Sequence, residues 1–500
     1  MTAGAAASRA GSATGSVGGA QAAPSGRARD GARAAAAAMT GQSIGAAESA
    51  AAAQPGGAAL PDGSALPDGA ALPDGSALPR GAAPPGTGTP SVGGVGGRPG
   101  PGAVPGRPES HDLDRGWEAA RLLWSLDPSI AYLNNGAFGA VPVPVQRAQQ
   151  RLRDEVESDP MRFYGRGLGD RVVHTRRHLA RFVGADPDGS ALVTNVSTGV
   201  NAVLRSFPLR PGEEVLVTDH GHVPARRAVE RACRLAGATT VTVEIPLTAD
   251  DSTLVDLVRE RVTRRTRLAV LDQVTSPTAR LLPLDRLLGP LRADGVAVLV
   301  DGAHAPGMLP VDVDALGADF WVGNFHKWAA APRGTALLSV HPRWRSAMQT
   351  SVVSWAEDAG FPASFEQGGT IDPTGWLAAP VGLHTLSSLG WDTLRRRNAD
   401  LAAWGQRVVA EQIGADLTGL PVNRTVSMRI VPLPPGVATT PDTAQGLQVQ
   451  IAAEAGCEVA VAAWHGRGLL RVSAQAFNRT AEYVRLADAL PAILAAARRG

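Results

Sequence analysis

Of the 48 lysine and arginine residues in this 500-residue chain, a single one, Lys327, is lysine. A chain that uses arginine wherever a positive charge suffices has kept one ammonium for chemistry that the guanidinium cannot perform. Schiff-base formation is chemistry of that kind, because a desolvated lysine amine sheds its proton and adds to an aldehyde, while arginine stays protonated. Lys327 stands in Gly323-Asn324-Phe325-His326-Lys327, directly after a predicted strand, and the preceding predicted strand ends in Asp301-Gly302-Ala303-His304. Open α/β sheets bind ligands at the C-terminal ends of their strands, so both segments can reach one pocket. Alone, an aspartate in that position also reads as a cap, a metal ligand or a Walker-B-like acid, but the chain has no Gly-x-x-x-x-Gly-Lys loop to support a nucleotide site.

The lysine and the acid together match what pyridoxal 5′-phosphate (PLP) requires: an amine for its aldehyde, and a carboxylate that keeps its pyridine nitrogen protonated and electron-withdrawing. Lys327 and Asp301 are the expected catalytic pair. The phosphate needs backbone N–H groups and hydroxyls at a helix N-terminus. Val196-Ser197-Thr198-Gly199, between a predicted strand and helix, offers that arrangement, although the same residues serve equally as an ordinary N-cap.

The elements that must position these residues follow from apolar patterning. Short runs rich in Val and Leu predict strands at 191–195, 214–218, 239–245, 268–273, 296–301, 319–323 and 334–340. Amphipathic stretches at 223–236, 252–263 and 283–293 predict helices between them, the βαβ rhythm of a mainly parallel sheet covered on both faces. The class is α/β. After Trp391 a long helical pattern and strands near 426–431, 458–463 and 469–473 predict a smaller α+β unit. The expected organisation is therefore an N-terminal segment with the large PLP-binding domain over 109–390 and a small C-terminal domain over 391–500.

Residues 1–108 are dominated by Ala, Gly, Pro and Ser, with a Leu-Pro-Asp-Gly unit starting at Leu60, Leu66 and Leu72, and are expected to be disordered. Deleting them should leave the cofactor spectrum and the thermal midpoint nearly unchanged; a truncated chain that failed to fold or to take up PLP would move the boundary.

Net charge is +2, so no excess charge points to a nucleic acid or an anionic membrane. The two cysteines, Cys233 and Cys457, form no metal-ligand spacing or disulfide framework, and no metal site is expected. Neither an apolar run long enough to span a bilayer nor signal-peptide order is present, so a soluble cytoplasmic protein without membrane partners is expected.

Taken together, Tyr132-Leu133-Asn134-Asn135-Gly136, Thr275-Ser276-Pro277-Thr278, Asp301-Gly302-Ala303-His304, His326-Lys327 and Arg471-Val472-Ser473 resemble the class V aminotransferase family of fold-type I PLP enzymes, with the aspartate aminotransferase-like architecture. The likeness runs from about Tyr132 to Arg485 and is strongest to isopenicillin N epimerase-like members. It implies Ser197, Thr198, Asn324 and His326 as phosphate ligands, and Thr370 as a ligand reaching the phosphate from a neighbouring subunit, hence a homodimer with shared sites. It implies His222 as the ring stacked on the cofactor, with His220 as a competitor, and His304 as the hydrogen-bond donor to the phenolic oxygen. Gln273 stands where relatives often carry His. The resemblance further implies Arg471 as the anchor of a substrate α-carboxylate, a role suited to a bidentate guanidinium, with Asn135 and Gly136 completing that pocket.

The expected reaction begins with removal of the α-proton of an amino-acid substrate by the Lys327 amine. Return of a proton to the opposite face gives epimerisation, its transfer to the cofactor gives transamination, and loss of a β-substituent gives a carbon–sulfur lyase. Epimerase-like action is the leading expectation, with class V aminotransferase or lyase as alternatives. A non-catalytic binding protein on the same fold is a further alternative, against which the intact Lys327, Asp301 and Arg471 argue. Desulfurase chemistry would need an exposed, activated cysteine, which neither a helical Cys233 nor a strand-starting Cys457 provides.

Overall fold

The computed structural model describes residues 110–498; the predicted disordered tail at 1–108 lies outside the described residues. Among the described residues, twelve strands follow in chain order: β1 Ala131–Tyr132, β2 Ser190–Val193, β3 Glu214–Thr218, β4 Thr239–Val243, β5 Thr266–Asp272, β6 Ala297–Asp301, β7 Phe320–Asn324, β8 Ala336–Val340, β9 Met428–Pro432, β10 Cys457–Glu458, β11 Ala460–Trp464 and β12 Arg467–Ser473. Seven of them form one sheet in the order β2-β8-β7-β6-β5-β3-β4. β3 to β7 run parallel, and only β8 is antiparallel to its neighbours β2 and β7. This is the mainly parallel sheet of fold-type I, its parallel strands joined through helical crossovers.

Every residue of β2, β3, β6, β7 and β8 is buried, because helices cover both faces. Alternate side chains enter opposite layers: Leu216, Ala269, Val298, Val300 and Trp321 pack with Leu254, Leu287 and Leu291 on one side, and Val215, Val217, Val270, Leu299 and Val322 with Val200, Val203 and Val229 on the other. Burial of such side chains, at about 1.5–3 kcal/mol each, is what fixes the register and therefore the strand ends. β4, the edge, is the most exposed of the seven.

A second core surrounds the antiparallel sheet β11-β12-β9, with Leu401 and Val409 from the helix Trp391–Ile413, Leu447 and Ile451 from Pro441–Ala455, and Tyr483, Leu486 and Leu490 from Thr480–Ala497. This is the smaller C-terminal α+β part of the fold. The predicted strand at 458–463 is in fact two: Cys457–Glu458 pairs in parallel with Ala131–Tyr132, and Ala460–Trp464 pairs antiparallel with β12. The break falls at Val459, whose carbonyl accepts from Asn134 Nδ2 at 3.2 Å and so ties the N-terminal segment to the C-terminal sheet. The strand predicted at 191–195 stops at Val193, because Asn195 turns to cap the following helix. None of the described helices is long and apolar enough to cross a membrane.

Candidate active site

Parallel pairing of β5, β6 and β7 brings their C-terminal ends side by side, with Asp272 directly opposite Asp301 in register. β7 leads at once into the loop that carries Lys327. That loop is fixed by Phe325 N–H donating to the Thr335 carbonyl (3.0 Å) and by Phe325 and Trp328, both buried beneath it. Gly139 packs against the carbonyls of His326 and Lys327, where no Cβ would fit. The lysine backbone is thus held from both sides.

Burial lowers the Lys327 amine to about 8; Asp301 and Asp272 pull it upward and Arg471 pushes it further down. Near neutral pH an appreciable share of the side chain is therefore the free amine that imine formation needs. Asp301 is buried, and burial raises its carboxyl above the usual range, opposed by the Ala303 N–H and by Lys327. Its Oδ1 accepts from Ala303 at 3.0 Å, while Oδ2 is buried with no partner. A buried carboxylate oxygen left open is costly unless a donor arrives, and a pyridine N–H is a donor of the right kind. The residues present therefore fit PLP. Asp272 was not singled out from sequence, although it too ends an apolar strand; burial and the neighbouring Asp301 raise its carboxyl well above the ordinary range.

His304 Nε2 lies 3.3 Å from Lys327 Nζ, and its Nδ1 accepts from Trp328 Nε1 at 3.3 Å. Burial, then Lys327 and Arg471, keep its imidazole neutral well below the ordinary histidine range. His222 begins the helix Val223–Ala236; burial first, then Lys327 and Arg471, lower it to about 4, so it is an uncharged ring beside the lysine. Its competitor His220 is turned away. Nδ1 of His220 contacts Thr278 Oγ1 at 2.7 Å, Nε2 contacts the Ile245 carbonyl at 2.8 Å, and its ring packs on Trp464. Gln273 is engaged elsewhere, accepting from Trp321 Nε1 at 3.1 Å.

At the helix Val196–Ser206, Asn195 Oδ1 accepts from Thr198 N–H at 2.9 Å, and the Thr198 hydroxyl lies 2.8 Å from that of Thr194. Asn195 thus orients the first turn, at whose N-terminus Ser197 and Thr198 stand. Asn324 Oδ1 accepts from Val196 N–H at 3.0 Å and so pins the helix start to the end of β7. His326 Nδ1 contacts the Thr335 carbonyl at 3.1 Å, which leaves Nε2 available, and burial followed by Lys327 lowers the ring to about 4. Thr370 is exposed, and no hydrogen bond among the described residues joins it to this pocket within the chain.

Arg471 lies in β12, almost fully buried. Nη1 donates to the Ser276 carbonyl (2.5 Å) and hydroxyl (3.1 Å), Nη2 to Asn134 Oδ1 (3.1 Å), and Nε has no partner. No carboxylate forms an ion pair with it among the described residues, and burial lowers the guanidinium to about 10. A buried cation held by neutral acceptors alone is an anion site in waiting. Asn134, absent from the expected set, is its support. Asn135 is wholly buried: its Oδ1 accepts from Ala140 N–H (3.1 Å), its Nδ2 donates to the Lys327 carbonyl (3.4 Å) and its own N–H donates to Ser473 Oγ (2.8 Å). It fastens the lysine loop to β12. Gly136 does face the cluster, since a Cβ there would fall 2.6 Å from Met428 Sδ and 3.3 Å from the Trp328 ring.

Both cysteines are buried. Burial pushes the Cys457 thiol up to about 11 and raises that of Cys233, the opposite of an activated thiolate.

The aminotransferase class-V family model matches residues 132–486. Isopenicillin N epimerase of Streptomyces clavuligerus is 33% identical over 396 residues, covering 75% of this chain and 98% of that protein. L-cysteine desulfhydrase of Arabidopsis thaliana is 29% identical over 396 residues, covering 72% and 87%. Among solved structures, a cysteine desulfurase from Escherichia coli superposes with a TM-score of 0.62 at 20% identity, covering 76% of this chain and 99% of that one. These likenesses and the residues gathered around Lys327 agree: the chain belongs to the class V aminotransferase family of PLP-dependent enzymes.

Proposed function

We propose that this enzyme inverts the α-carbon of an amino-acid substrate, an epimerase reading that follows the name of its isopenicillin N epimerase relatives. Action at an amino-acid α-carbon is supported most by the joint presence, in one buried cluster, of a lysine amine lowered to about 8 and the Arg471 guanidinium, held by neutral acceptors; the epimerase relatives favour inversion among the outcomes. PLP, when bound, supplies an aldehyde for that amine and a protonated ring that draws electron density from the α-carbon. Arg471 then binds the substrate carboxylate, and Lys327 Nζ takes the α-proton. Asp301 would hold the pyridine nitrogen, His304 the phenolic oxygen and the uncharged His222 ring the cofactor face, and Ser197, Thr198 and His326 would hold the phosphate.

A homodimer completes this site in the proposal, Thr370 of each chain serving the other's phosphate. Val352, Val353, Trp355 and Ile371, all exposed, flank that segment and form an apolar surface suited to a second copy. Two free, buried cysteines suit the cytoplasm.

A lyase reading is the alternative, favoured by the desulfhydrase relatives. Incubation with candidate amino acids, with isopenicillin N, and with cysteine in deuterated water separates the two. Epimerisation gives deuterium at the α-carbon of both stereoisomers, whereas sulfide with pyruvate would replace this proposal by lyase action. The variant carrying both Cys233→Ser and Cys457→Ser should retain α-proton exchange at close to the parental rate; loss of exchange with the cofactor still bound would restore a cysteine-dependent mechanism.

A further inference from the structure

We propose that Trp328 is a positioning residue that fixes His304 in its Nε2–H tautomer and, through it, keeps the Lys327 amine in its neutral, nucleophilic form. The inference rests on the reading of Lys327 as the cofactor lysine and goes beyond it, since Trp328 lies one residue away and would touch neither substrate nor cofactor to do this.

Donor and acceptor chemistry decides the tautomer. An indole N–H can only donate. Trp328 is 1% exposed, so its N–H has no water to turn to, and the partner it has is His304 Nδ1 at 3.3 Å. Nδ1 must therefore carry a lone pair, which places the single proton of the neutral imidazole on Nε2. Nε2 faces Lys327 Nζ at 3.3 Å. A donor aimed at Nζ is satisfied by an amine, which has a lone pair, and opposed by an ammonium, which has none. The other arrangement, an ammonium donating to Nε2, would put Nδ1–H against the indole N–H, two buried donors facing each other.

The remaining charges around Nζ do not achieve this on their own. Asp301 at the end of β6 and Asp272 at the end of β5 favour the ammonium; Arg471 on β12 opposes it. His222 and His326, the other titratable groups here, are both lowered to about 4 and carry no charge near neutrality. Burial, the largest influence, lowers the amine to about 8, and Arg471 acts in the same direction against the two acids; the directed hydrogen bond from His304 adds to that preference for the neutral amine.

Because the chain has one lysine, biosynthetic labelling with ε-¹³C-lysine gives one side-chain resonance, and its titration in the full-length, cofactor-free protein reads the Lys327 amine directly. Trp328→Phe keeps the ring bulk and removes the N–H. The expected result is a titration midpoint about one to two pH units above the parent, with correspondingly slower uptake of PLP at neutral pH. An unchanged midpoint in a folded Trp328→Phe protein overturns the proposal. Should that variant not fold, ¹⁵N-histidine spectra of the parent decide: an Nε2–H tautomer at His304, assigned by its loss in His304→Gln, supports the relay, and an Nδ1–H tautomer contradicts it. A raised midpoint in a protein that takes up no PLP would uphold the relay while removing the cofactor reading, so the two fail separately.

Discussion

Lys327→Arg should leave a folded protein that forms no covalent link to PLP and turns over at least about a thousandfold more slowly, the scale of losing the general base. The substitution is informative because it preserves charge. Asp301, Asp272 and the local electrostatics keep a cation to face, yet the guanidinium neither adds to an aldehyde nor gives up a proton to become a base. The site is tight, since the loop backbone is gripped by Gly139 and by the Asn135 amide. The variant's thermal midpoint should be compared with the parent to show that activity fell for chemical reasons. Retained α-proton exchange in Lys327→Arg would mean that another group is the base.

Arg471→Gln should lower kcat/KM by about a hundredfold, carried mainly by KM. A charge-assisted hydrogen bond to a carboxylate contributes about 1.5–3 kcal/mol, and a bidentate pair contributes two. Because the α-carboxylate carries the same charge before and during proton removal, Arg471 holds it about equally in both, and its loss shows as weaker substrate binding. Glutamine can still reach Ser276 or Asn134, so the pocket should keep its shape and the cofactor spectrum should not change. Steady-state kinetics across substrate concentration test this, and an equal fall in kcat at unchanged KM would place Arg471 in some other role. Amines without the carboxylate should bind parent and variant alike.

Much of this was legible in the sequence, and what was not has physical causes. Strands β3, β6, β7 and β8 are near-continuous apolar runs with all residues buried, and such runs announce themselves by composition. Lys327 was conspicuous as the chain's single lysine, and Asp301 as a charge ending a buried strand. Asp272 carries the same signature, an acid at the end of Leu268 to Leu271, and could have been read the same way. Asn134 and Trp328 could not. Asn134 acts through Val459 and Arg471, 325 and 337 positions away, and Trp328 through His304 on another strand end, contacts that no local pattern encodes. Asn324 shows a similar limit: its position beside the lysine is plain in the sequence, but the hydrogen bond its amide oxygen accepts from Val196 N–H, 128 positions away, is not.

The central claim, that Lys327 holds the cofactor, is tested most directly by reducing the PLP-loaded protein with borohydride, digesting it and locating the reduced pyridoxyl group by mass. One modified peptide is expected, containing His326-Lys327-Trp328, with the label on Lys327. A label confined to the N-terminal amine, or none in protein whose spectrum shows bound cofactor, would contradict it.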